Sequence, residues 1–189
     1  TGYDGRLVVG KAEDLSRLRS WHAHPPPGSP ALAWLDAATI ATAGWDGVVR
    51  LWDESLGEID SLNLHSPVLS LAVDGARIAA GTLDGGVHLG AFGGPWSRIE
   101  AHQQGTLTVA FADRVLISAG GDGLIRVGDR VMTTGRAESI ATDGRLLAAA
   151  IGRTIRVWEL PSLRVAAVLD ADALALAFSG SALVAGCGD

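Results

Sequence analysis

His22 and His24 stand two positions apart, the spacing at which a β-strand turns both side chains to one face, and imidazoles so placed could share a metal ion. The pattern goes no further, because no HExxH accompanies it and the single cysteine, Cys187, excludes a multi-cysteine zinc set. A structural hydrogen bond from an imidazole to a turn carboxylate is the simpler reading, with His24 the better candidate. Asp4, Asp46, Asp84 and Asp122 each precede a glycine and could suggest a ring of calcium ligands, yet an Asp-Gly pair is first of all a tight turn whose carboxylate accepts local backbone hydrogens. "GGDG" at 120–123 resembles part of a phosphate loop but lacks the third glycine, the Lys-Ser/Thr pair and the following helix. Serine, histidine and aspartate occur without a Gly-x-Ser-x-Gly elbow. The expectation is a chain with no catalytic residues, no metal and no cofactor.

What positions these turns is a repeat. "TAGWDGVVRLWD" at 42–53 returns in outline as "TGYDGRLVVGK" at Thr1, "AGTLDGGVHLGA" at Ala80, "SAGGDGLIRVGD" at Ser118 and "AAIGRTIRVWE" at Ala149. Its anchors fall at Asp4, Asp46, Asp84, Asp122, Gly152 and Asp189, at intervals of 42, 38, 38, 30 and 37 residues. A period near 38 marks a repeat architecture. Within each period the apolar residues alternate, as in "ALAWLD", "VLSLAVD" and "TLTVAFAD", and a turn leads to a second strand such as "RIAAG". Asp-Gly then supplies a hairpin into a third strand such as "GVVRLW", and a more polar fourth strand follows, as in "LGEIDSLNLH". Valine, isoleucine, threonine and frequent glycine favour strands over helices throughout. Only "AEDLSRLRSW" at 12–21 has a fair helical alternative.

"GWDGVVRLWD" and "GRTIRVWE" resemble the WD-repeat family, and the weaker copies keep the frame over the whole chain. The resemblance implies an all-β fold, a β-propeller of about five four-stranded blades in one domain spanning 1–189. It also implies a hydrogen-bonded set of turn Asp, strand Trp, Ser or Thr, and His, best matched here by Asp46, Trp52, Thr42 and His24. His65 and His102 precede later first strands in the same way. Gly10, Gly90 and Gly128 replace the Trp and Gly152 replaces one Asp, so other packing must hold those blades.

The chain opens on a third strand and stops after a second, which leads us to expect that residues 5–22 complete the blade begun by 173–186 and close the ring. The alternative is a five-repeat section of a larger propeller, in which case open edges invite oligomerisation. The interval of 30 after Asp122 predicts a stub for that blade's outer strand. Trp34, on an innermost strand, and Cys187, after a late one, are expected in the core.

Charge and composition narrow the function. A net charge of −6 with a single lysine and scattered arginines argues against nucleic acid, and no apolar run is long enough to span a bilayer. Compartment stays open. The residue before each turn anchor is Tyr3, Trp45, Leu83, Gly121 and Ile151, so one face presents apolar groups where hairpin tips usually carry polar ones. Tyr3, Trp45 and Leu83 are therefore the candidate contact residues of a non-enzymatic scaffold for other proteins. The alternatives are tips folded down onto neighbouring blades, or a lectin-like propeller that stacks sugars on exposed rings.

Overall fold

The computed structural model describes residues 4–10, 19–28 and 31–187, and among them every regular element is a strand. Four antiparallel sheets of four strands each follow chain order. They are β3–β6 (Ala31–Trp34, Ile40–Ala43, Val48–Trp52, Glu58–Asn63), β7–β10 (Val68–Asp74, Arg77–Thr82, Gly86–Gly90, Trp96–Glu100), β11–β14 (Thr106–Ala112, Val115–Gly120, Leu124–Val127, Arg130–Thr133) and β15–β18 (Ala137–Thr142, Leu146–Ile151, Thr154–Glu159, Arg164–Asp170). A two-stranded sheet stands at either end, β1 (Arg6–Val9) with β2 (Arg19–His22) and β19 (Ala173–Ser179) with β20 (Ala182–Cys187). The segment with a helical alternative ends as strand β2, and residues 11–18 lie outside the described part.

The register repeats as well as the order. Ala43 opposes Val49, Gly81 opposes Val87 and Ala119 opposes Ile125. Each pair stands three residues before and three after its turn Asp. In the fifth period Gly152 replaces the Asp, and there Ala150 opposes Ile155, a pairing shifted by one residue. The blade after Asp122 keeps an outer strand, β14, but it is only four residues long and joins β13 through two residues.

A sheet with alternating apolar residues on both faces must bury both, and here the faces bury each other. One cluster joins Leu7 and Ala23 of the first hairpin to Ile40, Trp52 and Leu56. The next sets Ala43 and Val49 against Val68 and Ala80, and another sets Ala79 and Val87 against Val109. Ala119 and Ile125 meet Ile140, Leu147 and Trp158, and Ala148, Ala150 and Ile155 meet Ala173. Ile40, Ile78, Ile117, Ile125 and Leu147 are almost fully buried, each contributing about 1.5–3 kcal/mol. Small residues dominate the second strands because neighbours approach closely there. At Gly81 even a Cβ would lie 2.6 Å from Ser70 Oγ and 2.8 Å from Thr106 Cγ2.

Where no neighbouring sheet covers a face, apolar side chains stay exposed. Trp34 is 52% exposed, contrary to its expected core position. It opposes Ile40 on the face turned toward β1–β2, where Leu7 packs with Ile40 and Trp52 while Trp34 borders an open cleft with Val9 and Arg19. Val184, 55% exposed, lies on the outer face of β19–β20, while Leu176, Phe178 and Leu183 on the other face pack against the preceding sheet. Cys187, expected in the core, is also exposed, at the end of strand β20, which pairs only with β19. Hydrogen bonds join β1 to β2 and β19 to β20 as two separate pairs.

Gly85 has φ of +90°, and a Cβ there would lie 2.0 Å from the carbonyl oxygen of His102, which itself ties one sheet to the next by donating its N–H to Gly85 O at 2.9 Å. Gly75 has φ of +58° with open space around it. Gly75→Ala is expected to cost only the backbone term, about 1–2 kcal/mol. Gly85→Ala adds a clash with backbone and is expected to exceed about 4 kcal/mol. Denaturant melts of the two variants check the order; equal losses would mean that the turn moves freely.

Candidate functional site

In the β3–β6 sheet the expected set is assembled around His24, which is buried in the segment entering β3. Its Nδ1 lies 2.9 Å from Asp46 Oδ1 and its Nε2 lies 2.9 Å from Thr42 Oγ1, while Trp52 Nε1 donates to the same Thr42 oxygen at 2.8 Å. The indole N–H donates to Thr42, and Arg50 Nη1 also stands 2.8 Å from His24 Nδ1, so both ring nitrogens are engaged by side chains inside the fold. Arg50 joins the set unforeseen, donating from its guanidinium to Asp46 Oδ2 at 2.7 Å and standing 3.7 Å from Glu58. The alternation of β5 points Arg50 to the same face as Trp52, which is the signal that could have found it.

His102 repeats the arrangement with Asp122 at 3.0 Å and Ser118 at 2.9 Å, without an indole because Gly128 stands where Trp would. His65 does not. It is exposed with φ of +59°, and Ser66 beside it is buried, its Oγ accepting the N–H of Asp84 at 3.3 Å. Thr82 Oγ1 donates to Asp84 at 2.6 Å in place of an imidazole. The cause is two residues before the turn Asp. Gly44 and Gly120 hold that position in the histidine-bearing blades, where a Cβ would lie 2.5 Å from His24 Nδ1 and 2.4 Å from His102 Cγ, whereas Thr82 holds it in the blade that excludes His65. Gly90, which replaces a Trp, is covered by Trp96 from the next strand, whose ring also meets Phe92 edge-on with centroids 5.8 Å apart.

Burial lowers the pKa of His24 against the opposing pull of Asp46, and burial lowers that of His102 against Asp122. Burial pushes Asp46 up, but hydrogen bonds from Arg50 and His24 outweigh it and hold the carboxyl below its ordinary range. Asp122 is likewise lowered, burial opposing, by the backbone N–H of Gln103 and by His102.

The turn tips lie at one end of the sheets. Trp45 is 37% exposed and Leu83 46% exposed. Both tips are anchored through the backbone, Trp45 N–H donating to Gly28 O at 3.1 Å and Leu83 N–H to Pro67 O at 2.8 Å. Gly121 N–H makes the same bond to Gln104 O at 2.7 Å but presents no side chain. Ile151 belongs to strand β16 and is half-buried, so the apolar row stops before it. Tyr3 lies outside the described residues.

Thr42→Val leaves His24 Nε2 and Trp52 Nε1 without partners in a buried site and is expected to cost about 2–3 kcal/mol, read from a denaturant melt. Lowered folded-state pKa values mean that the unfolded chain binds more protons, so stability present at neutral pH is lost on acidification. The loss begins below about 6.5, where free imidazole titrates, and continues as Asp46 and Asp122 protonate. The melting temperature is expected to fall from pH 7 to pH 5, and His24→Gln with His102→Gln to flatten that fall. Some slope remains because burial also lowers His88. An unchanged slope in the double variant would show that these imidazoles do not carry the dependence.

The family model described as WD domain, G-beta repeat matches residues 16–53, the stretch that carries His24, Thr42, Asp46 and Trp52. No curated protein matches the chain. Among solved structures, a chain in the crystal structure of the mitotic checkpoint complex superposes with a TM-score of 0.85 at 15% identity, over 97% of this chain and 67% of that one. The computationally designed Ika8 protein gives a TM-score of 0.76 at 19% identity, over 97% of this chain and 65% of its own. The chain therefore spans about two thirds of the length of each of these structures.

Proposed function

We propose that this chain, a β-propeller in fold whose residues 16–53 match the WD domain model, binds other proteins through the face carrying the Asp-Gly tips, with Trp45 and Leu83 as its anchors. The observation that supports this reading is the pair of large apolar side chains exposed on the tips of two successive sheets, each tip anchored by a backbone hydrogen bond. A partly exposed indole on a preformed hairpin gives up large area at low entropic cost when a partner covers it. Tyr3, one turn earlier in the repeat, is proposed as the third member of the patch. The function is non-catalytic in this reading: His24 and His102, the imidazoles that contact carboxylates among the described residues, have both nitrogens engaged inside the fold and serve to position the turns.

Cross-linking captured with the wild-type chain and compared with Trp45→Ala and Leu83→Ser tests the reading. The variants are expected to lose the captured proteins, each substitution weakening binding by about 1–3 kcal/mol, while melting temperature shifts by no more than a few degrees. Capture that survives both substitutions would place the interface elsewhere. Retention on immobilised glycans that disappears in Trp45→Ala would favour sugar stacking at the same ring.

A further inference from the structure

The register shared by the sheets that keep the turn Asp assigns roles to the strands of the two half-sheets. Counted from that Asp, the residue three places before opposes the residue three places after, as Ala43 does Val49, Gly81 does Val87 and Ala119 does Ile125. In the repeat, β1 follows Asp4 and holds the place of a third strand, with β2 as the fourth, while β19 and β20 hold the places of a first and a second strand leading to Asp189. Among the described residues β1 is hydrogen-bonded to β2 alone and β20 to β19 alone, so one sheet lacks its first half and another its second. Continued across the gap, the shared register sets Gly186 opposite Leu7, Ala185 opposite Val8 and Val184 opposite Val9.

The faces agree with that pairing. In the complete sheets, residues an odd number of places from the turn Asp face the next sheet, Ala43 and Val49 meeting Val68 and Ala80, and residues an even number away face the preceding one, Ile40 and Trp52 meeting Leu7. The half-sheets already follow this rule. Leu7 and Val9, three and five places after Asp4, pack toward β3–β6, and Leu183, six places before Asp189, packs on β15–β18. Joining β20 to β1 sets Val184 beside Val9 on the side where Trp34 is exposed, and it sets Val8, itself 50% exposed, beside Ala185 on the side of β15–β18. One pairing thus covers three exposed apolar side chains. The free strand invites it as well: β20 reads Ala-Leu-Val-Ala-Gly-Cys without a charge or a proline, whereas the fourth strands β6, β10, β14 and β18 all carry Asp, Glu or Arg. An uncharged free edge is a template for another strand.

We propose that two copies of this chain complete the sheet between them, β20 of one copy pairing with β1 of the other so that β19–β20 and β1–β2 form one four-stranded sheet. The partner is a second copy because the half-sheets supply complementary strands in matching register with matching faces, and within a single chain they stand in separate sheets. Made in both directions, the contact leaves neither edge open and closes the assembly; made in one direction, it leaves an edge that adds further copies. A slip of one residue would turn Val184 and Leu7 to opposite faces, so the register is tightly specified.

Disulfide trapping in a Cys187→Ser background tests it, with Val9→Cys and Val184→Cys placed on separate, co-expressed chains that carry different tags. Opposed residues of an antiparallel pair stand within disulfide reach, so mild oxidation is expected to join the two chains in a band that reductant removes. Val8→Cys in place of Val9→Cys moves the thiol to the other face and is expected to lower the yield about tenfold. Light scattering of the unsubstituted chain is expected to give the mass of two chains or a larger multiple. Ala185→Pro, which takes an N–H from the free edge, is expected to give the mass of one chain with an unchanged circular dichroism spectrum. Absence of a disulfide between chains, equal yields from Val8→Cys and Val9→Cys, or a single-chain mass for the unsubstituted protein overturns the proposal. So does a chain carrying both Val9→Cys and Val184→Cys that forms its disulfide at single-chain mass, which would mean that one chain closes on itself.

Discussion

Among the described residues every sheet has two apolar faces and no helix covers either, so each face is buried by another sheet. That constraint sets the rest. The apolar clusters lie between successive sheets, and each joins one period of the repeat to the next. It also sets residue size, since alanine and glycine on the second strands let sheets approach without collision, as the crowding around Gly81 shows. The exposed Trp34 and Val184 mark the two places where such cover is missing, and no local property of β3 or β20 accounts for them.

Polar links reinforce the stacking. The glycine carbonyl of each Asp-Gly turn accepts from the segment entering the next sheet, Gly5 from His24, Gly47 from Leu64 and Gly85 from His102. At the other end Arg77 lies 4.9 Å over the Phe111 ring and donates to Arg114 O at 2.8 Å, tying two more sheets. The histidine-centred sets are therefore one of several fasteners. In β7–β10, which lacks one, Thr82, Ser66 and Trp96 do corresponding work with different chemistry.

Strands, their order and the turn anchors were legible in the sequence because each is set by local rules: alternation gives the strand, Asp-Gly the hairpin, and the period the sheet. His24, Thr42, Asp46 and Trp52 were legible through the family frame. Their partner Arg50 was not, because an arginine on a half-buried strand looks like any surface charge until the carboxylate opposite it is placed. His65 was read into a set it does not join, since the space that admits an imidazole is decided by Gly44 and Gly120 against Thr82, a steric fact two strands away from the histidine. Trp34 failed for a longer-range reason: burial there depends on a neighbouring sheet, and a repeat frame describes what a position would meet if that sheet were present.

Because each full sheet is built from four strands consecutive in the chain, a strand finds its hydrogen-bonding partner within a hairpin's length, and only the packing of one sheet on the next requires more distant residues. Closing such short loops costs little chain entropy, so sheets can form as independent local events and then recruit their neighbours. During synthesis the chain can thus gain order in increments of one repeat, each newly emerged sheet finding the previous face already laid down as a template.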